Sequence, residues 1–315
     1  MVSNQYVTDG GLVEYGTHLM TSAVPIIYCH TGNFPRYLGA VLESARFFNR
    51  DSRIYLITDV EGLRLPGLDI EICAVDQLHD DKLRLFHKNY LNISSINDRI
   101  TRSYFERWFL VGELIRRNRL ARSVQLDSDA MLFHDVRESF AHIDNRPCLL
   151  VGPALTYMNQ DIDPFLDFIN AKYADGKIME KYRVLNREAE RAGGMVNLDD
   201  QELLTAFLKE CPDQISSYPH DLPIGHIDHC IFGAGDGMMS RPNRRHLASK
   251  RVFWQDDGEI FRPNFRRATD GSLVPALSIH FQNGAKRRIR RFNRVGADSS
   301  LPRSLRLRYY TWLLN

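Results

Sequence analysis

Two short apolar runs, Val24-Pro25-Ile26-Ile27-Tyr28-Cys29 and Arg53-Ile54-Tyr55-Leu56-Ile57-Thr58-Asp59, bracket a segment in which Tyr37, Leu38, Val41, Leu42, Ala45 and Phe48 recur every three or four positions. The runs have the length of strands, and the spacing between them is that of an amphipathic helix with Pro35 near its first turn. Strand, helix and strand make a βαβ unit, which demands a parallel sheet. Such sheets bind ligands beyond the C-terminal ends of their strands. The turn-like cluster His30-Thr31-Gly32-Asn33 follows the first strand at that position.

The rest of the chain fits the same plan. Ile70–Val75 reads as a third strand, and the charged stretch 79–99 has no clear period, so it is expected to be a mobile lid. A helix is expected over Ser103–Asn118, with Phe105, Trp108, Phe109, Gly112, Leu114 and Ile115 on its apolar face. Cys148–Val151 reads as a central strand, 161–192 as helices, and the segment after Asn197 as a helix carrying Leu203, Leu204, Phe207 and Leu208. Short strands follow to about residue 282. No repeat or linker interrupts this region. The expectation is one α/β domain over 24–285 with a mixed, mostly parallel sheet, an arm at 1–23, and a basic tail at 286–315.

Composition narrows the setting. The 315 residues are 43% hydrophobic and 25% charged, as in soluble globular proteins. Cys29, Cys73, Cys148, Cys211 and Cys230 are scattered without C-x-x-C spacing, which argues against a disulfide framework and suits a reducing compartment. With no leader pattern and no apolar run of about 18 residues, a cytoplasmic protein is expected. Net charge is only +2, yet Lys286 to Arg308 holds nine Lys or Arg against Asp298 alone. Tyr309, Tyr310 and Trp312 follow, a mixture suited to the periphery of an anionic membrane; a solvated or packed tail fits equally. No recognition motif accompanies the charge, so nucleic acid is not an expected partner.

Chemistry concentrates in Ser123-Val124-Gln125-Leu126-Asp127-Ser128-Asp129-Ala130-Met131-Leu132. On an extended segment Asp127 and Asp129 would face one side and Ser128 the other. Paired carboxylates suit a hard divalent cation, Mn²⁺ or Mg²⁺, shared with substrate phosphates. The plain alternative is a surface turn with two solvated acids. Downstream, His280 offers an imidazole, Gly284 allows close backbone approach, and Lys286 offers an ammonium to offset diphosphate charge.

Taken in order, the first strand and its turn, the strand ending at Asp59, the helix with Arg107-Trp108, Asp127-Ser128-Asp129, Asp199-Asp200-Gln201, and Ser278-Ile279-His280-Phe281-Gln282-Asn283-Gly284-Ala285-Lys286 resemble the GT-A glycosyltransferases. The order is most similar to the glycogenin-like and bacterial lipopolysaccharide galactosyltransferase branch. One departure is the H-x3-G-x-K spacing, one residue longer before the glycine than the family's H-x-x-G-x-x-K. The resemblance implies a GT-A Rossmann-like domain and transfer from a nucleoside diphosphate sugar, UDP-linked by preference, to a glycan or glycolipid hydroxyl, with retention favoured. It further implies metal ligation by Asp127, Asp129 and His280, and donor contacts from His30, Thr31, Gly32, Asp59, Arg107, Ser128, Gly284 and Lys286. Asp200 and Gln201 would lie beside the donor sugar, with Asp199 as a cap. Arg99 and Arg102 rival Arg107.

His226-Ile227-Asp228-His229 and Asp256-Asp257 form further polar clusters that would orient an acceptor or supply a base. Three other readings stay open. A sugar nucleotidyltransferase lacks its Gly-rich, Lys-containing first loop here, and an aspartyl phosphatase would carry its D-x-D after the first strand. The third is a non-enzymatic membrane adaptor with the basic tail.

Overall fold

The computed structural model describes residues 23–142, 149–151, 155–159, 162–193, 198–217, 220–233, 236–241, 249–256 and 261–292. The arm at 1–22, Asn197, Cys148, Asp257 and the tail from residue 293 lie outside the described residues.

The chain opens with β1 (Ile26–His30), α1 (Leu38–Phe48), β2 (Ile54–Thr58) and β3 (Glu71–Ala74), the expected βαβ unit with a third strand. There follow α2 (Asp81–Asn89), α3 (Asp98–Asn118), β4 (Ser123–Leu126), β5 (Ala130–Leu132), α4 (Val136–Phe140), β6 (Leu149–Val151) and β7 (Leu155–Met158). Helices α5 (Asp163–Ala174), α6 (Gly176–Arg191) and α7 (Asp200–Glu210) precede β8 (Ile215–Ser217), β9 (Asp221–Leu222) and β10 (Gly225–Ile227). The last elements are β11 (Ser240–Arg241), β12 (Ser249–Lys250), β13 (Phe253–Asp256), β14 (Phe261–Arg266), β15 (Leu273–His280) and α8 (Ile289–Phe292).

The main sheet runs β3-β2-β1-β4-β7-β6-β8. The pairs β1-β2, β2-β3, β1-β4 and β6-β8 are parallel, while β4-β7 and β6-β7 are antiparallel. The expected mixed, mostly parallel sheet is met. From β1 the chain winds outward to β3 and then returns through α3 to β4 on the other side of β1. That reversal opens a crevice at the C-terminal ends of β1 and β4.

Alternation along the strands decides which layer each side chain joins. Ile26, Tyr28, Ile54, Leu56, Val124 and Leu126 pack toward α1 and the second sheet. Ile27, Tyr55 and Ile57 pack toward α2, α3, α5 and α7. The second sheet, β13-β14-β15-β10-β9, is joined to the first through β5, which pairs antiparallel with β15.

Several expectations change. The stretch read as a lid contains α2, whose Asp80 cap accepts from Leu83 N at 2.8 Å and whose Phe86 is fully buried. Phe86 stacks on Phe109 at 5.1 Å between centroids, so this helix is core structure. Helix α3 starts five residues before the expected Ser103, because Asn97 caps it, accepting from Arg99 N at 3.0 Å. Its first turn holds Ile100 as a lone, exposed apolar residue and shows no apolar period. Strand β7 was not expected: Leu155-Thr156-Tyr157-Met158 is too short to signal itself, yet it sits between β4 and β6. The start of the expected tail also packs. Ile289 is fully buried, and Phe292 lies 4.9 Å from Phe281 and 5.4 Å from Trp254.

Candidate active site

At the crevice the chain after β4 makes a turn, with Ala130 N donating to Asp127 O at 2.9 Å. The two aspartates therefore share a side through a turn, not through strand alternation. Ser128 does not point away as an extended segment would require; its Oγ lies 3.2 Å from His30 Nδ1 and it lines the cleft.

His280 reaches this turn by register. It pairs with Ala130 at the end of β15, and Phe281 N donates to Asp129 O at 3.0 Å. Its Nδ1 lies 2.7 Å from the carbonyl of His229 and donates there, which leaves Nε2 as the nitrogen facing the aspartates. Nε2 is 3.2 Å from Asp129 Oδ1 and 3.5 Å from Asp127 Oδ2. Its backbone N–H donates to Asp228 Oδ2 at 3.1 Å.

Beyond β15 the chain turns at Asn283, which takes the left-handed conformation (φ 52°), and a 3₁₀ turn over Asn283–Arg288 brings Lys286 back over the site. The permissive role expected of Gly284 thus falls to Asn283, and Gly284 does not line the cleft. Lys286 Nζ is 3.0 Å from Asp129 Oδ2. Burial alone would lower the ammonium of Lys286, but Asp129 holds it above the usual range. Burial would raise the carboxyl of Asp129, and His280 and Lys286 hold it below.

The opposite wall comes from α3 and α7. Arg107 Nη1 lies 2.5 Å from Asp127 Oδ1 and its Nη2 2.6 Å from Asp200 Oδ2. Trp108 Nε1 donates to the same Asp200 oxygen at 2.9 Å. Burial pushes the Asp200 carboxyl up, against the pull of Arg107 and Trp108. Asp199 caps α7: it accepts from Gln201 N at 2.9 Å, while Glu202 returns to the Asp199 N–H as a capping box. Asp200 is therefore freed from capping.

The cleft has a volume of about 420 Å³, within the range of small-molecule sites. Of the expected residues, His30, Thr31, Arg107, Asp127, Ser128, Asp129, Asp200, Gln201, His280 and Lys286 line it. Gly32 and Asp59 stand off its wall. Gly32 takes φ +89°, and its N–H donates to Asp59 Oδ1 at 2.7 Å, a clamp that fixes the turn carrying His30 and Thr31. Arg99 and Arg102 do not line the cleft, and Arg102 pairs with Glu106 at 3.2 Å. Ser103, Tyr104, Gln282 and Asn283 line the cleft but were not expected. The signal for the first two was available: they lie four and three positions before Arg107 on one helix face.

The donor set suits a divalent cation. Asp127, Asp129 and His280 each offer a ligand atom within 4.8 Å of the others, and the Nδ1 bond to His229 fixes the tautomer a metal requires. The other polar clusters lie elsewhere. His226 and Asp228 have no exposed surface, so neither meets an acceptor from solvent as expected. Asp228 is instead held by Lys250 Nζ at 2.5 Å. Asp256 ends β13, and its partner Asp257 is not described.

Neither a family model nor a curated protein matches the chain. Among solved structures it is similar to mouse xyloside xylosyltransferase 1, with 13% identity, TM-score 0.40, and coverage of 62% of this chain and 84% of that one. It is also similar to the galactosyltransferase LgtC, solved with donor and acceptor sugar analogs, with 11% identity, TM-score 0.42, and coverage of 90% and 99%. A third likeness is to the glycosyltransferase GlyE of Streptococcus pneumoniae TIGR4, with 15% identity and TM-score 0.31, over 62% of this chain and 45% of that one. At such identities and TM-scores these likenesses carry no function; the side chains of the cleft do.

Proposed function

We propose that the chain is a metal-dependent glycosyltransferase that moves a sugar from a nucleoside diphosphate donor, UDP-linked by preference, to a hydroxyl of a glycan or glycolipid. The observation that carries this reading is the convergence of Asp127, Asp129, His280 and Lys286, from distant segments, at the crevice between β1 and β4. Two carboxylates alone would repel a diphosphate. Bound by Asp127, Asp129 and His280, Mn²⁺ or Mg²⁺ would supply a Lewis acid and a countercharge for it.

The protein's own groups divide the remaining work. Lys286 offers its ammonium to the departing diphosphate, and it is already held over the site by Asp129. His30 and Thr31, at the end of β1, border the space for base and ribose, with the Gly32–Asp59 clamp setting their turn. Asp200 and Gln201 flank the sugar from the first turn of α7, and Arg107 orients Asp200. Retention of configuration follows the sequence resemblance. In the described residues the cleft's carboxylates are engaged as cap or ion-pair partners, which fits a front-face transfer without a separate base.

The basic, aromatic tail supports a peripheral contact with anionic membrane, where a glycolipid acceptor would reside. Among the described residues no helix is long and apolar enough to cross a membrane. A hydrolysis screen across nucleotide sugars with Mn²⁺ tests the proposal. Slow, metal-stimulated hydrolysis of one donor identifies nucleotide and sugar together, and inertness of every donor with and without acceptor glycans counts against it.

A further inference from the structure

A second set of ligand atoms lies in the other sheet, away from the cleft. His226 sits on β10 with no exposed surface, opposite Asp221 in the antiparallel β9-β10 register. Its Nδ1 is 2.7 Å from Asp221 Oδ1, so it carries the proton, and the carboxylate is steadied in turn by Arg267 Nη1 at 2.7 Å from Oδ2. His220, just before β9, places its own Nδ1 3.2 Å from the Ile227 carbonyl. Both imidazoles are thereby held with Nδ1 donating and the Nε2 lone pair left over. The rings stack, with centroids 5.9 Å apart.

The Nε2 of His226 turns to Asp236. Its carboxylate, with His220 and His226, offers ligand atoms all within 4.8 Å of one another. Among the described residues His226 Nε2 is buried without a hydrogen-bond partner, and Asp236 Oδ1 is buried without one as well. The nearest approach of the two residues is 3.4 Å, from Nε2 to Oδ2, and that Oδ2 is already bound by Lys250. A lone pair turned on a carboxylate, with two buried polar atoms unsatisfied, is a costly arrangement unless something positive lies between them.

We infer that His220, His226 and Asp236 form a second metal site, for a Zn²⁺-class transition ion. Two imidazoles and one carboxylate favour such an ion, whereas the two carboxylates and one imidazole of the cleft favour Mn²⁺ or Mg²⁺. The supports of the ligands follow the arrangement usual around zinc: a carboxylate on one Nδ1 and a backbone carbonyl on the other. His220 is partly exposed, which gives the ion its route in. The site also backs the cleft, because Lys250 links Asp236 to Asp228, and Asp228 accepts the backbone N–H of His280.

The test uses full-length protein stripped with a chelator and then given Zn²⁺ or Co²⁺ alone. Asp129→Asn silences the cleft, and His220→Gln removes the most exposed ligand with least risk to the core. The D129N protein should take up one equivalent of Zn²⁺, gain thermal stability from it, and show a visible Co²⁺ spectrum of imidazole ligation. Adding His220→Gln should weaken uptake by roughly 100-fold, the upper end of what even a supporting partner contributes, while the far-ultraviolet circular dichroism stays unchanged. Absence of Zn²⁺ uptake by the D129N protein would overturn the inference, and so would undiminished uptake by the double variant. In either case His226 and Asp236 would be an ordinary charged pair.

Discussion

Arg107 Nη2 lies 2.6 Å from Asp200 Oδ2, and that one contact joins the helix before the Asp127 turn to the helix that begins at Asp200. The other guanidinium nitrogen holds Asp127, so one side chain spans two carboxylates. A lysine presents a single point charge and cannot do so. Arg107→Ala leaves Asp200 with Trp108 but without its countercharge, and about 3 kcal/mol of stability should be lost, the low end for a broken buried pair because Arg107 is partly exposed. Arg107→Lys should recover only part of it. Urea unfolding of the two variants checks both statements.

Asp200→Asn should cost about 2 kcal/mol, the scale of one charge-assisted hydrogen bond, since its amide oxygen still accepts from Trp108 but no longer balances Arg107. Asp199→Ala, which removes the cap, should cost about 1 kcal/mol. Sugar transfer should fall strongly in D200N and little in D199A. Parallel stability and rate measurements on the pair separate a carboxylate beside the sugar from one that only starts a helix.

The fold was legible where period and length were strong. The uninterrupted apolar runs Ile26–Tyr28 and Ile54–Ile57 announced the buried parallel strands, and the α1 spacing announced the crossover. It was illegible where a cap or a partner strand decided the outcome. Helix α2 carries Asp81, Lys82, Arg84 and Lys88 around the buried Leu83 and Phe86, too few apolar positions to show a period. The four residues of β7 exist as a strand because β4 and β6 flank them. In the cleft, residue types were enough to single out Asp127, Asp129, His280 and Lys286. The Arg107–Asp200 pair and the turned geometry of Asp127-Ser128-Asp129 depend on tertiary register, which no local pattern encodes.

His134 supplies a pH dependence remote from the cleft. It is buried, with Nδ1 2.8 Å from the Leu277 carbonyl and Nε2 2.5 Å from Ser139 Oγ, and burial pushes its pKa down to about 4. The unfolded chain, with an ordinary histidine near 6.5, binds the extra proton first. The contribution of His134 is therefore full above about pH 6.5 and fades as pH falls toward 4, by about 3 kcal/mol in all. Urea midpoints between pH 7 and 4.5 should fall, and a His134→Gln protein, though less stable at neutral pH, should show a shallower slope.

The tail should divide at the end of its packed segment. Phe292→Ala removes a ring lodged against Phe281 and Trp254 and should cost about 3 kcal/mol. Truncation after Gly296 spares that ring, His280 and Lys286, and should leave donor hydrolysis intact. It removes Arg303, Arg306, Arg308, Tyr309, Tyr310 and Trp312. With each cation worth about 1 kcal/mol at an anionic surface, salt-sensitive co-sedimentation with anionic vesicles should drop. Full-length protein that ignores such vesicles at low salt would dismiss the membrane contact.

The central claim is that Asp127, Asp129 and His280 hold a divalent cation on which a nucleoside diphosphate depends. Calorimetric titration of UDP into the chelator-treated protein, with and without Mn²⁺, and into an Asp129→Asn variant of unchanged circular dichroism, tests it most directly. The account predicts UDP binding that requires Mn²⁺ in the native protein and is lost in the variant. Binding of equal strength without Mn²⁺, or undiminished Mn²⁺-dependent binding in the variant, would contradict it.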